Sequence, residues 1–208
     1  MKIKNILFPN NEYFQEKCPK TQIVLHHTVS AKGEFVDDWW KSDKGASKVA
    51  TAFVLDKDGT IFQLFDENYW AYHIGQGASV HDNQKTIGIE IVNEGALQID
   101  KSTNRMTWFN GKNPYTGEYI TLAKPWRGSQ FFPTYTPEQY ASLNELLPHL
   151  CGKFNIPKKI ITTWQYSNNY RNFIGIVSHH NLRTDKSDVS KAFDFSKLRD
   201  FNLVNSIF

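Results

Sequence analysis

The sequence predicts an α/β fold, with a mixed central β-sheet flanked by helices, in a single domain of 208 residues. Three observations point there. Short segments rich in Ile, Val and Leu are interleaved with helical ones along the chain. One of them, Thr86-Ile87-Gly88-Ile89-Glu90-Ile91-Val92, reads as a buried strand in the middle of a sheet. A hairpin pattern between residues 52 and 64 supplies an antiparallel pair, which makes the sheet mixed.

Residues 22–28 form the first strand, rich in Ile, Val and Leu. Neighbouring side chains on a strand face opposite ways, so His26 and His27 cannot both reach one point from it. Residues 34–41 read as a helix, with Phe35, Val36, Trp39 and Trp40 at helical spacing. In the hairpin, Ala52-Phe53-Val54-Leu55 and Thr60-Ile61-Phe62-Gln63-Leu64 flank Asp56-Lys57-Asp58-Gly59, where Asp-Gly is a strong turn signal. From about Glu94 to Thr134 the chain is polar, aromatic and rich in Gly and Pro, with little periodicity. It reads as a long insertion or a set of loops. The clearest helix opens at Thr136-Pro137-Glu138, with Thr136 as N-cap and Pro137 in the first helical position. Tyr140, Leu143, Leu146, Leu147 and Leu150 make its apolar stripe, and Gly152 can close it. Ile174-Gly175-Ile176-Val177-Ser178 is the last strand, ending beside His179 and His180, and Phe193, Phe195 and Leu198 anchor a short final helix.

Composition excludes several classes. The formal charge of +3, from 24 basic and 21 acidic residues, is a mild excess without the Lys/Arg clustering of a nucleic-acid binder. It suits an anionic polymer such as a cell wall. Cys18 and Cys151 are the only cysteines, too few for a disulfide framework, and are expected as free thiols with Cys151 buried on a helix. No apolar run is long enough to span a membrane. The apolar part of Met1–Pro9 is too short for a secretory signal, so synthesis in the cytoplasm is expected. Aromatic residues reach 14% with six Trp, which suits either an aromatic core or a ligand groove lined with rings.

Five motifs occur in order: the strand ending His26-His27-Thr28, Asp56-Lys57-Asp58-Gly59-Thr60-Ile61, Ala71-Tyr72-His73-Ile74-Gly75, Ile87-Gly88-Ile89-Glu90, and Ser178-His179 with Lys186-Ser187-Asp188 and Phe193-Asp194. In that order they resemble the zinc-dependent N-acetylmuramoyl-L-alanine amidases. That family includes phage lysozymes of the T7 type, bacterial recycling amidases and animal peptidoglycan-recognition proteins. The resemblance runs from about Gln22 to Phe195 and takes 94–134 as an insertion.

The resemblance implies a zinc ion at one end of the sheet, held by His26, His179 and Asp188, with His27 and His180 turned away. Two imidazoles and one carboxylate leave a fourth position open, as in catalytic zinc sites. It further implies Glu90 as the acid/base that moves the proton. A carboxylate in so apolar a strand is costly without a task, and burial raises its pKa toward a useful range. Gly88, two residues earlier on the same face, suggests an opening for substrate. Lys186 is implied as the charge beside the developing oxyanion, and His73 as a contact in the substrate groove. Trp108 and Trp126, with the other rings of the insertion, are expected to build a wall of the cleft. Thr51 departs from the T7-type pattern, which carries a Tyr nearby, and sides the chain with the branch that uses a glutamate. The implied reaction is hydrolysis of the amide between N-acetylmuramic acid and L-alanine by a monomer acting on peptidoglycan or a muropeptide. The setting is either a phage or prophage endolysin, reaching the wall after release, or a recycling enzyme. A peptidoglycan-binding protein without catalysis is the rival class.

Overall fold

The structure, a computed structural model, describes residues 3–6, 8–42 and 44–205. Met1, Lys2 and Leu7 of the opening segment lie outside the described residues, as does the side chain of Phe35.

An eight-stranded mixed sheet forms the centre. In chain order its strands are β1 (Ile3–Asn5), β2 (Gln22–His27), β3 (Phe53–Leu55), β4 (Ile61–Gln63), β5 (Thr86–Ile91), β10 (Lys159–Ile161), β11 (Gly175–Ser178) and β12 (Asn202–Val204). Their order across the sheet is β1-β4-β3-β5-β2-β11-β10-β12. Only the β3–β4 hairpin is antiparallel; every other neighbouring pair is parallel. Parallel strands require crossovers that cover both faces. Accordingly all of β2 and β11, and all of β5 except Glu90, are buried.

Alternation along the strands separates two cores. Ile23, Leu25, Ile87, Ile89, Ile91 and Ile176 pack in the larger one with helix α3 (Pro137–Phe154). Val24 and Val177 face the other way, toward Ile74, Tyr170 and Leu182. The α3 stripe Leu143, Leu146, Leu147 and Leu150 is fully buried, and each such side chain contributes about 1.5–3 kcal/mol. Thr136 caps the helix through a reciprocal capping box with Gln139, and Pro137 occupies the first turn. The helix does not stop at Gly152. It runs to Phe154 and closes at Asn155, which takes the left-handed conformation at φ 53 and donates its N–H to the Cys151 carbonyl. Asn tolerates that conformation better than other residues with a side chain. Both cysteines are free, and Cys151 is buried on this helix.

Helix α1 (Glu34–Lys41) buries Val36 and Trp40, and Trp40 meets Phe8 edge to face. Trp39, on its opposite side, stays 69% exposed. Helix α2 (Val80–Gln84) leads directly into β5 and carries one buried residue, Asn83. Helix α4 (His179–Leu182) follows β11 without a break. The final helical segment is a single 3-10 turn, Phe195–Lys197.

The stretch read as loops is instead a second sheet. Strands β6 (Leu97–Asp100), β7 (Arg105–Trp108), β8 (Tyr119–Trp126) and β9 (Ser129–Pro133) pair antiparallel in the order β7-β6-β9-β8. Arg127 and Gly128 both have positive φ, 51° and 83°. That is the two-residue turn whose twist matches a hairpin, and it joins the Trp126–Ser129 pair. The strands are short and half exposed, with Pro125 inside β8, so their alternation is weak in the sequence. Among the described residues no helix is long and apolar enough to cross a membrane.

The larger core depends on α3 filling its side of the sheet. Leu147→Ala is expected to lower unfolding free energy by about 2–5 kcal/mol, read from the denaturant midpoint at unchanged slope. A loss under about 1 kcal/mol would show that α3 contributes little to the core.

Candidate metal centre and active site

The carboxyl ends of β5, β2 and β11 lie side by side, where ligands bind in sheets of parallel strands. The register pairs His26 with Glu90 and Leu25 with Ser178. His26 shares the face of Val24, and His27 that of Leu25, because strand side chains alternate. His179 is the first residue of α4, and Asp188 follows on the loop after that helix.

These elements bring His26, His179 and Asp188 together, all three buried. Nδ1 of His26 lies 3.0 Å from Nδ1 of His179 and 3.2 Å from Oδ2 of Asp188. The third edge, His179 Nδ1 to Asp188 Oδ2, is 2.8 Å. His179 donates its Nε2–H to the Ile74 carbonyl at 2.8 Å, so in a neutral ring Nδ1 carries only a lone pair. Burial, and then the neighbouring His179, lower the His26 pKa to about 4 against the opposing pull of Asp188. Burial pushes the Asp188 carboxyl up, but His179 and His26 outweigh it and hold the group well below its ordinary value. Two imidazole nitrogens and a carboxylate oxygen thus come together at one point, an arrangement that could hold a cation. The cluster is able to hold a metal ion with one position left for water or substrate.

The second histidine of each pair holds its neighbour in place. Nδ1 of His27 lies 3.2 Å from the Tyr135 hydroxyl, which accepts the backbone N–H of Ser190 at 3.2 Å. The backbone N–H of His180 donates to the Asp188 carbonyl at 2.7 Å. Its Nδ1 lies 3.0 Å from the Val189 carbonyl, and Trp164 stacks on the ring at 5.0 Å. His180 therefore fastens the start of α4 to the loop that carries Asp188. Burial lowers its pKa to about 4, so it serves as a neutral ring.

Glu90 stands across from His26 on the same face of the sheet. Its Oε2 is buried and has no hydrogen-bond partner among the described residues. Burial, then the charge of Asp188, push its pKa well above the ordinary 4.5, partly offset by Lys186. Lys186 is half-buried, close enough for its charge to act on both Glu90 and His26. A cavity of about 480 Å³ opens beside Glu90, lined by Thr28, Val29, Ser30, Val36, Trp39, Trp40 and Phe109. Phe109 is 57% exposed there, and Val29, a β-branched residue, takes the strained left-handed conformation at φ 53.

Three placements differ from what the sequence suggested. Trp108 and Trp126 do not line this cavity. Trp108 pairs with buried Leu97, and Trp126 packs edge-on against His180, Trp164 and Phe132, fastening the second sheet to the body. The exposed rings beside Glu90 are Trp39 and Phe109. Phe109 is one of the insertion rings expected at the cleft, whereas Trp39, read with Val36 and Trp40 on one apolar stripe, turns outward instead. Gly88 is no opening for substrate. A Cβ there would meet Thr51 Cγ2 at 2.6 Å and His73 Nδ1 at 3.0 Å, so the space is filled from within. His73 sits behind His26 with both ring nitrogens engaged. Beside it, Thr51, Thr86 and Gly88 border a gap of only about 10 Å³, at the lower limit for one water.

The family model for N-acetylmuramoyl-L-alanine amidases matches residues 16–191. The chain belongs to that family. Its fold resembles that of N-acetylmuramoyl-L-alanine amidase LysC from Clostridium intestinale, with a TM-score of 0.56 at 18% identity over 95% of each chain. The endolysin amidase LysCS from the same organism gives 0.56 at 19% identity, over 95% of this chain and 92% of that one. A selenomethionine derivative of AmpD gives 0.55 at 16% identity, over 95% and 93%. A comparison with curated protein sequences gives no match. The chain is a peptidoglycan amidase by family.

The raised pKa of Glu90 has a consequence for stability. The folded protein keeps a proton that the unfolded chain releases near pH 4.5, so stability falls as pH rises from there through the raised value. Glu90→Gln removes this slope. In metal-free protein the variant should match the parent near pH 4 and exceed it near pH 7, by about 1.4 kcal/mol per unit of displacement up to that pH. Denaturant unfolding at the two pH values checks it; equal stability at both means that Glu90 ionises normally.

Proposed function

We propose that this amidase hydrolyses the bond between the lactyl group of N-acetylmuramic acid and L-alanine, with zinc held by His26, His179 and Asp188. The observation that carries the reading is the triangle of bare ligand atoms with Glu90 standing across from it. Zinc bonds of about 2.0–2.1 Å in a tetrahedral site set ligand atoms roughly 3.3 Å apart, and the triangle edges are 2.8–3.2 Å. The donor set fits zinc, with imidazole and carboxylate ligands and a fourth position open.

When bound, zinc acts as a Lewis acid toward the amide carbonyl and makes water a stronger nucleophile near neutral pH. Glu90, raised by burial, accepts a proton from the attacking water and delivers it to the leaving amine nitrogen. Lys186 places a positive charge by the carbonyl oxygen as negative charge develops there. Trp39 and Phe109 present flat apolar surface along the cleft beside Glu90, suited to the substrate chain flanking the cleaved bond.

A lysin that reaches the wall after release from the cell is the setting favoured. The formal charge excess of the chain lies wholly in residues 97–133, which hold five Lys or Arg against two Asp or Glu. That puts the basic balance in the added sheet, next to Phe109, where an anionic wall polymer would approach. A second setting, turnover of small muropeptides, is the alternative.

Purified protein loaded with zinc should release new L-alanine amino groups from sacculi without new reducing sugar ends. A chelator should abolish the activity and zinc restore it. Glu90→Ala should lower kcat by about 10²–10⁴-fold. Turnover of soluble muropeptide far above that of sacculi assigns the recycling setting, and zinc binding without amide cleavage assigns a binding role.

A further inference from the structure

The two imidazoles of the cluster are each oriented by one member of a consecutive pair, His73 and Ile74. His73 turns its ring to His26, with Nδ1 3.0 Å from His26 Nε2. Ile74 turns its carbonyl to His179, accepting the Nε2–H at 2.8 Å. The pair is itself clamped. The backbone N–H groups of His73 and Ile74 both donate to Oδ1 of buried Asn83, at 3.0 and 3.2 Å. Asn83 in turn donates from Nδ2 to the Ser79 carbonyl at the start of α2, at 2.9 Å.

Proton counting favours one direction for the bonds in this network, the one in which the Thr86 hydroxyl donates to its carbonyl neighbours. The Thr86 hydroxyl has one proton, and it lies 2.9 Å from the Asp82 carbonyl and 3.1 Å from that of Asn83. Carbonyl oxygens only accept, so the hydroxyl proton goes to them. The hydroxyl oxygen then accepts Nε2–H of His73, 2.8 Å away. A neutral ring protonated on Nε2 has a bare Nδ1. His73 Nδ1 therefore accepts Nε2–H of His26, which leaves His26 Nδ1 bare and aimed at the cluster. Gly88 belongs to the same device, since any Cβ there would press on the His73 ring.

We infer that Thr86, His73 and Ile74, clamped by Asn83, form a proton-direction relay that holds both cluster imidazoles in the tautomer whose Nδ1 takes the metal. This rests on the proposed zinc site but not on the amidase reaction. His73 is thus a positioning residue. Outer-shell partners of metal-bound histidines typically change metal affinity by 10–100-fold when removed.

The test measures zinc affinity by competition with a chromophoric chelator and the His26 tautomer by long-range proton–nitrogen spectra of metal-free protein. Thr86→Val keeps the shape but loses the acceptor, and should weaken zinc binding about 10–100-fold while mixing the His26 tautomers. Thr86→Ser should restore both. His73→Gln, whose carbonyl can accept from His26 while its amide donates to Thr86, should bind zinc better than His73→Ala. If His73→Ala does not fold, the Thr86 pair still decides. Parent-like zinc affinity and a single His26 tautomer in Thr86→Val would overturn the relay. A raised KM at saturating zinc, with zinc affinity unchanged in His73→Ala, would make His73 a substrate contact instead. A parent that binds no zinc sinks the metal site itself, which distinguishes the two failures.

Discussion

Everything functional in this molecule depends on the parallel pairing of β5, β2 and β11. That pairing fixes three things at once. It puts Glu90 opposite His26 and ends β11 at Ser178, opposite Leu25, so that His179 starts beside His26. It also buries both faces, which takes the site out of water and makes each unpaired lone pair costly. A slip of one residue between β2 and β5 would turn His26 toward the α3 core and His27 toward Glu90. The register is pinned by apolar residues on both faces: Ile23 and Leu25 on one, Val24 on the other.

Much of the site was legible because strand alternation is a strong constraint. From it alone, either His26 or His27 must face away, whereas His179 was singled out over His180 by the resemblance; the structure gives His27 and His180 separate partners in Tyr135 and the Asp188 loop. The α3 start was equally plain, since Thr136, Pro137 and Gln139 carry their cap in local sequence. The second sheet was not legible. Its strands are short, half exposed and interrupted by Pro125, so period-two alternation has little amplitude there. Its clearest signal was Arg127-Gly128, a turn that favours positive φ.

The role of Gly88 was misread for a related reason. A glycine in a buried strand signals close approach, but sequence does not say from which side. Here the visitor is His73, brought from a different segment by the Asn83 clamp. Bonds of this kind join residues about ten positions apart through a short helix, with no periodic pattern to announce them. Trp39 posed a related difficulty: its helical spacing groups it with Val36 and Trp40, yet it lines the cavity beside Glu90 together with Phe109 of the insertion.

The two sides of the cluster are built for opposite purposes. Behind His26, packing closes to a gap of about 10 Å³ around His73, Thr86, Gly88 and Thr51. In front, beside Glu90, the cavity is about 480 Å³ and is rimmed by exposed rings. A rigid, satisfied network at the back prevents the imidazoles from turning, because each rotation would break a buried hydrogen bond worth about 1–3 kcal/mol. The front keeps Glu90 Oε2 unpartnered, a buried acceptor whose cost is tolerated when a proton is to be moved there. Stability is thus concentrated behind the cluster and given up in front of it, where substrate would enter.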